Sequence, residues 1–208
     1  MRYLTAVAAC AVLCALVVAA DAPPAGNLVA NPSFEERSGP RKDYPAEPWG
    51  YGMFDGVARS PFARWGYSGF WDGGDYDIKL GKGRTGAICA RLVCRSRGRG
   101  GIATEAVTVA TGAKLEFRGW FKGVAAKGRC WVNFEGDPGD GWAQIALPAE
   151  ADYDWKEVTG VVTVPALKKQ PKDVPEGRAR ITVFIYTTAY GELWIDDVTL
   201  TPVAEPAK

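Results

Sequence analysis

The chain has 208 residues, 47% hydrophobic and 24% charged, an ordinary globular composition large enough for one sizeable core. A formal net charge of +1 excludes the global field that would favour nucleic acid. Histidine is absent, which removes at once the commonest general base and the commonest transition-metal ligand.

Glycine and proline, 25 and 14 residues, fit short strands broken by turns better than they fit helices. Residues 1–20 (MRYLTAVAACAVLCALVVAA) carry one arginine, an apolar run and small residues at the end, the pattern of a secretory signal peptide, so export is expected. An uncleaved membrane anchor is the alternative. Cleavage after Ala20 would leave equal numbers of basic and acidic side chains, a short linker over 21–26, one β-sandwich over 27–202 and a tail over 203–208. It would also remove Cys10 and Cys14, leaving Cys89, Cys94 and Cys130. Three cysteines cannot all pair with one another: Cys130 can bridge to one of the others, or all can stay as buried thiols. No CxxC metal spacing exists.

Residues 27–35 (NLVANPSFE), with an apolar pair and an Asn-Pro turn signal, read as an edge strand. Residues 36–80 are rich in Gly, Pro and aromatics without sustained alternation, and read as loops with a short strand or two. Their rings, Trp49, Tyr51, Phe54, Trp65, Tyr67, Phe70, Trp71 and Tyr76, are too many to leave solvated and are expected mostly to pack on the end of the sandwich. From Gly86 the alternation is clear, with Ile88, Ala90 and Leu92 on one side and Arg91 and Arg95 on the other. Residues 95–101 (RSRGRGG) form a basic turn, either a solvated loop or an anionic-ligand contact.

Further strands are expected over 107–109, 113–122, 130–135, 155–165 and 180–186. Leu115, Phe117 and Phe121 face inward, as do Cys130, Val132 and Phe134, and Ile181, Val183 and Ile185. The opposite faces of these three strands carry Glu116, Arg118 and Trp120; Trp131, Asn133 and Glu135; and Arg180, Thr182, Phe184 and Tyr186. Rings, amides and charges thus replace the Lys, Thr and Ser of a plain solvent face. Residues 137–142 (DPGDGW) and 168–178 read as loops, and helix content should be low.

The chain closes on residues 191–200 (GELWIDDVTL), a strand that would bury Leu193, Ile195, Val198 and Leu200. Asp196 and Asp197 interrupt it, and a bare charge there would be costly. A bound cation, a basic partner or a bulge that turns one acid to solvent would each compensate.

The NLVxNPSFE opening and the GxLWIDDVxL ending together resemble carbohydrate-binding modules of the galactose-binding-like jelly-roll group, families four, nine and twenty-two. The resemblance spans about residues 27–202 and implies an all-β sandwich jelly roll of two antiparallel sheets. It also implies a structural calcium between the opening motif and the closing strand, where Glu35 and Asp196 match, with Asp197 the alternative if the register differs. Hard oxygen ligands, including backbone carbonyls near Gly86, suit Ca²⁺. Without an ion, Glu35 and Asp196 would be solvated or paired with Arg84 or Arg91.

In such modules the concave second face often holds the ligand, which points to Arg118, Trp120, Trp131, Asn133, Glu135 and Tyr186 as carbohydrate-binding residues. Sugar C–H faces stack on rings, while hydroxyls need amide, carboxylate or guanidinium partners. The same rings could instead be covered by residues 36–80 as a secondary core, and Trp142 could mark a loop-tip site. A glycosidase or lyase needs paired acids; Glu116 and Glu135 could supply them if their strands were neighbours. The expected function is non-catalytic polysaccharide binding by an exported monomer, ahead of a cell-surface interaction domain of the same fold and of an enzyme.

Overall fold

The alternating runs become strands because each can bury one face at a period of two. The computed structural model describes residues 26–37, 60–69, 76–95, 100–135, 141–188 and 190–204. Its strands, in chain order, are β1 (Trp65–Gly69), β2 (Tyr76–Lys82), β3 (Ile88–Cys94), β4 (Gly100–Thr104), β5 (Val107–Ala110) and β6 (Lys114–Val124). They continue with β7 (Gly128–Glu135), β8 (Trp142–Ile145), β9 (Tyr153–Thr163), β10 (Arg178–Thr187) and β11 (Gly191–Pro202). No helix occurs among the described residues.

The strands form two antiparallel sheets. One runs β1-β4-β10-β7-β8, with β5 alongside β10 beyond the end of β4. The other runs β2-β3-β11-β6-β9. The core lies between them, with Ile102, Val132, Ile181 and Ile185 on one side and Leu92, Leu115, Phe117, Phe121 and Ile195 on the other. Burying a side chain of this size is worth about 1.5–3 kcal/mol. The architecture is the all-β sandwich jelly roll expected from the sequence. Cys89, Cys94 and Cys130 are buried, and no disulfide joins them to one another. Burial pushes the Cys130 thiol far above its ordinary range.

Residues 27–35 are a turn-rich plug and do not form the expected edge strand. Asn31 and Phe34 have φ of 49° and 60°, the left-handed region that a strand cannot use. The polar side chains take over the work of a ladder. Asn27 Oδ1 accepts from the N–H groups of Val29 and Leu200, at 3.1 and 2.9 Å, and Asn31 Nδ2 donates to the carbonyls of Glu36 and Ala63. Phe34 is thereby turned into the core against Phe62 and Trp65. Of the rings over 36–80, Trp65 is a core residue; Trp49, Tyr51, Phe54, Phe70 and Trp71 lie outside the described residues, as do residues 1–20 and Ser96, Arg97, Gly98 and Arg99 of the basic turn.

β11 contains the bulge that the two acids suggested. Asp196 pairs with Trp120 and Thr199 with Arg118, so Asp197 and Val198 together oppose the single residue Gly119. Asp197 takes a φ of 49°. The extra residue shifts the phase, which lets Leu193 and Ile195 before it and Val198 and Leu200 after it all reach the core.

Candidate functional site

Two places gather polar and aromatic side chains that the core does not use. The first is the outer face of the six-stranded sheet. Register across β10 and β7 sets Phe184 beside Trp131, Thr182 beside Asn133 and Arg180 beside Glu135. On the far side of β7, edge strand β8 sets Gln144 beside Trp131 and Trp142 beside Asn133. The rings are continuous: Trp131 lies 5.3 Å from Trp142 and 4.7 Å from Tyr186, centroid to centroid.

Exposure grades across this face. Trp142 is 54% exposed and Tyr186 1%, with Trp131 and Phe184 half-buried between them. Asn133 is also half-buried, and no partner for its amide is found among the described residues. Glu135 is held by Arg180 Nη1 at 3.1 and 3.0 Å, and the same guanidinium also reaches Asp173. That contact, followed by the one to Glu135, raises the Arg180 pKa.

Trp131, Asn133 and Glu135 therefore share one surface with Trp142, whereas Tyr186, on the same face, is sealed from solvent and does not offer its ring to a sugar. Arg118 and Trp120 are not on this face. Alternation assigns a residue to the inside or the outside of a sandwich without saying which sheet it belongs to, and β6 lies in the five-stranded sheet. Arg118 there pairs with Glu116 at 3.0 Å and Glu157 at 3.8 Å. The Trp120 ring carries the Arg84 guanidinium at 3.6 Å. Glu116 and Glu135 consequently lie on opposite outsides of the sandwich, with the core between them, and do not form the acid pair considered above. Trp142 opens β8 and joins the ring face, so it is not a separate loop tip. The alternation of Trp142 and Gln144 against Ala143 and Ile145 was the available signal for that strand.

The second place is the clasp between the opening motif and β11. Residues 84–88 turn their backbone N–H groups toward two carboxylates. Glu35 Oε1 accepts from Ala87 and Ile88 at 2.9 and 3.0 Å, and Asp196 Oδ2 accepts from Arg84 and Thr85 at 2.7 and 3.3 Å. Gly86 has a φ of 64°, and a Cβ there would collide with the Glu35 carboxylate. Asp197 accepts from Ser33 Oγ at 2.8 Å, Thr85 Oγ1 at 2.7 Å and Arg84 Nη1 at 3.1 Å.

Asp196 is fully buried. Burial, with Asp197 beside it, pushes its carboxyl up to about 7 against the pull of its backbone donors. Among the described residues no arginine or lysine pairs with Asp196 or Glu35: Arg84 goes to Asp197, and Arg91 goes to Glu192 at 2.7 Å. Glu35 and Asp196 are thus left without a cationic side-chain partner among the described residues, and hard carboxylate oxygens are the donor type that would suit a calcium ion. No group of three or more Cys, Asp and Glu side chains converges among the described residues, so its remaining ligands would be backbone carbonyls or water.

No family model and no curated protein matches the chain. Similar solved structures include the CBM22-2 xylan-binding domain of Paenibacillus barcinonensis Xyn10C, with 15% identity and a TM-score of 0.48 over 68% of this chain and 92% of that one. The C-terminal family 22 carbohydrate binding module of Clostridium thermocellum Xyn10B matches with 11% identity and a TM-score of 0.49, over 70% and 89%. The arabinose-bound MgGH51 α-L-arabinofuranosidase matches with 12% identity and a TM-score of 0.51, over 85% of this chain and 26% of that one. At these identities the likeness is one of fold alone.

Proposed function

We propose that this protein is an exported, non-catalytic carbohydrate-binding domain that holds a polysaccharide on the outer face of its six-stranded sheet. The observation that carries the reading is the ring surface of Trp142 and Trp131, backed by the buried Tyr186 ring, with the Asn133 amide beside it, for which no partner is found among the described residues. Rings of this kind stack on sugar C–H faces, and the amide both donates to and accepts from hydroxyls. Trp131 is the central stacking residue, Trp142 extends the surface to the sheet edge, and Glu135 with Arg180 supplies polar contacts at one end.

A calcium ion at the clasp, held by Glu35 and Asp196, completes the reading. Its contribution is structural: it neutralises a buried acid and ties the opening segment to β11.

Affinity gel electrophoresis against a panel of polysaccharides, xylan among them, tests the binding face. Trp131→Ala is expected to cost about 2 kcal/mol or more, roughly thirtyfold in affinity. Trp142→Ala, at a half-exposed edge position, reports on the same face without touching the core and should also weaken retention. Retention of no polysaccharide by the parent protein, or full retention by both variants, overturns the proposal.

A further inference from the structure

Arg129 lies on the ring face but belongs to none of the contacts described so far. It is the first outward residue of β7, two positions before Trp131 on the same face, and its Cα partner is Tyr186. Two residues along a strand span about 7 Å, so its side chain and the Trp131 ring can engage one bound sugar. Arg129 is exposed. Arg64, Arg84, Arg91, Arg95, Arg118 and Arg180 each meet a carboxylate, whereas no ion pair is found for Arg129 among the described residues.

A second cation stands at the same end. Lys127, exposed and likewise without an ion pair among the described residues, sits in the turn before β7. That turn is fixed, because the Lys127 carbonyl accepts from Thr188 N at 2.9 Å and Thr188 Oγ1 at 3.0 Å. The other end of β7, about 20 Å away, has no uncommitted positive charge, since Arg180 spans the two carboxylates of Glu135 and Asp173. The ring face is therefore electrically lopsided, with its uncommitted positive charge beside the Trp131 and Tyr186 rings.

We infer that Arg129, assisted by Lys127, binds the carboxylate of a uronic acid, so that the ligand is an acidic rather than a neutral polysaccharide. The inference rests on the ring-face reading and adds the ligand class. A guanidinium fork matches a carboxylate bidentately and geometrically, which a point charge does not. A sugar stacked on Trp131 would present a ring carboxylate at its edge.

The test uses the full protein and a matched pair of polymers, a glucuronoxylan and the same material with its uronate carboxyls reduced to alcohols. At low ionic strength the native polymer should bind about threefold to fivefold more tightly than the reduced one, the scale of an exposed ion pair. Added salt should shrink that preference. Arg129→Gln should narrow it to near parity, and Arg129→Lys should keep part of it. Equal binding of the two polymers by the parent protein, or a preference that survives Arg129→Gln, overturns the inference while leaving the ring face standing. A sulfated polymer of matched charge bound as tightly as the uronate overturns the carboxylate assignment. Retention of neither polymer overturns it too, and the polysaccharide panel above then decides whether the ring face falls with it.

Discussion

At Asp196 and Asp197, two identical side chains meet different surroundings. Asp196 is sealed in and met by backbone amides, whereas Asp197, turned aside by its positive φ, collects two hydroxyls and the Arg84 guanidinium. Trp120 supports that arrangement by carrying Arg84 on its ring, which gives this tryptophan a part in the clasp. Cysteine shows the same dependence on surroundings. Cys130 sits fully buried in the core, and desolvation keeps its thiol protonated far above neutral pH. Thiol titration of the native protein at pH 8 should therefore leave Cys130 unmodified, and addition of denaturant should expose it. Rapid labelling of Cys130 in the folded state, located by peptide mass mapping, would contradict the burial.

At the scale of elements, the bulge in β11 acts as a phase corrector. Removing Asp197 would set Val198 opposite Gly119 and leave every core residue of β11 facing inward. Removing Trp194 would instead invert the faces of the residues that follow it up to the bulge. The Asp197 deletion should thus give a folded protein with a lower urea midpoint, from the loss of the Ser33, Thr85 and Arg84 contacts, while the Trp194 deletion should be insoluble or lack a native near-ultraviolet spectrum. Equal damage from both deletions would refute the phase argument. The alternation that makes these strands legible in sequence comes from burial of one face, which is why Leu115, Phe117, Val132, Ile181 and Ile195 were readable as core residues. What alternation does not encode is sheet membership. Hence Arg118 and Trp120 joined Trp131 and Tyr186 on paper, although β6 and β7 belong to different sheets. Residues 27–35 depart from the strand pattern for another reason: Asn27 and Asn31 satisfy the backbone with side-chain groups, and an apolar pair beside an Asn-Pro turn looks the same whether or not a ladder follows.

For the molecule as a whole, the clasp joins segments far apart in sequence. Leu28 N donates to Leu200 O at 2.8 Å and Val198 N to Pro32 O at 2.9 Å, so the opening segment is held on the closing strand. An ion bound there only in the folded state would stabilise the fold by mass action. The proposed calcium predicts that a chelator lowers the melting temperature, that added calcium restores it, and that magnesium, which demands a tighter octahedron, does so less well. A melting curve indifferent to chelator, with no calcium found by elemental analysis, would remove the ion from the account. The position of β11 has a consequence for how the protein is made. Of the described strands it is the last to be synthesised, yet it lies between β3 and β6. Until it arrives, β2 with β3 and β6 with β9 are two separate ribbons that share no ladder. A chain that stops short of Gly191 is therefore expected to form no smaller stable version of the fold, and a ribosome paused there would hold two open strand edges exposed to aggregation.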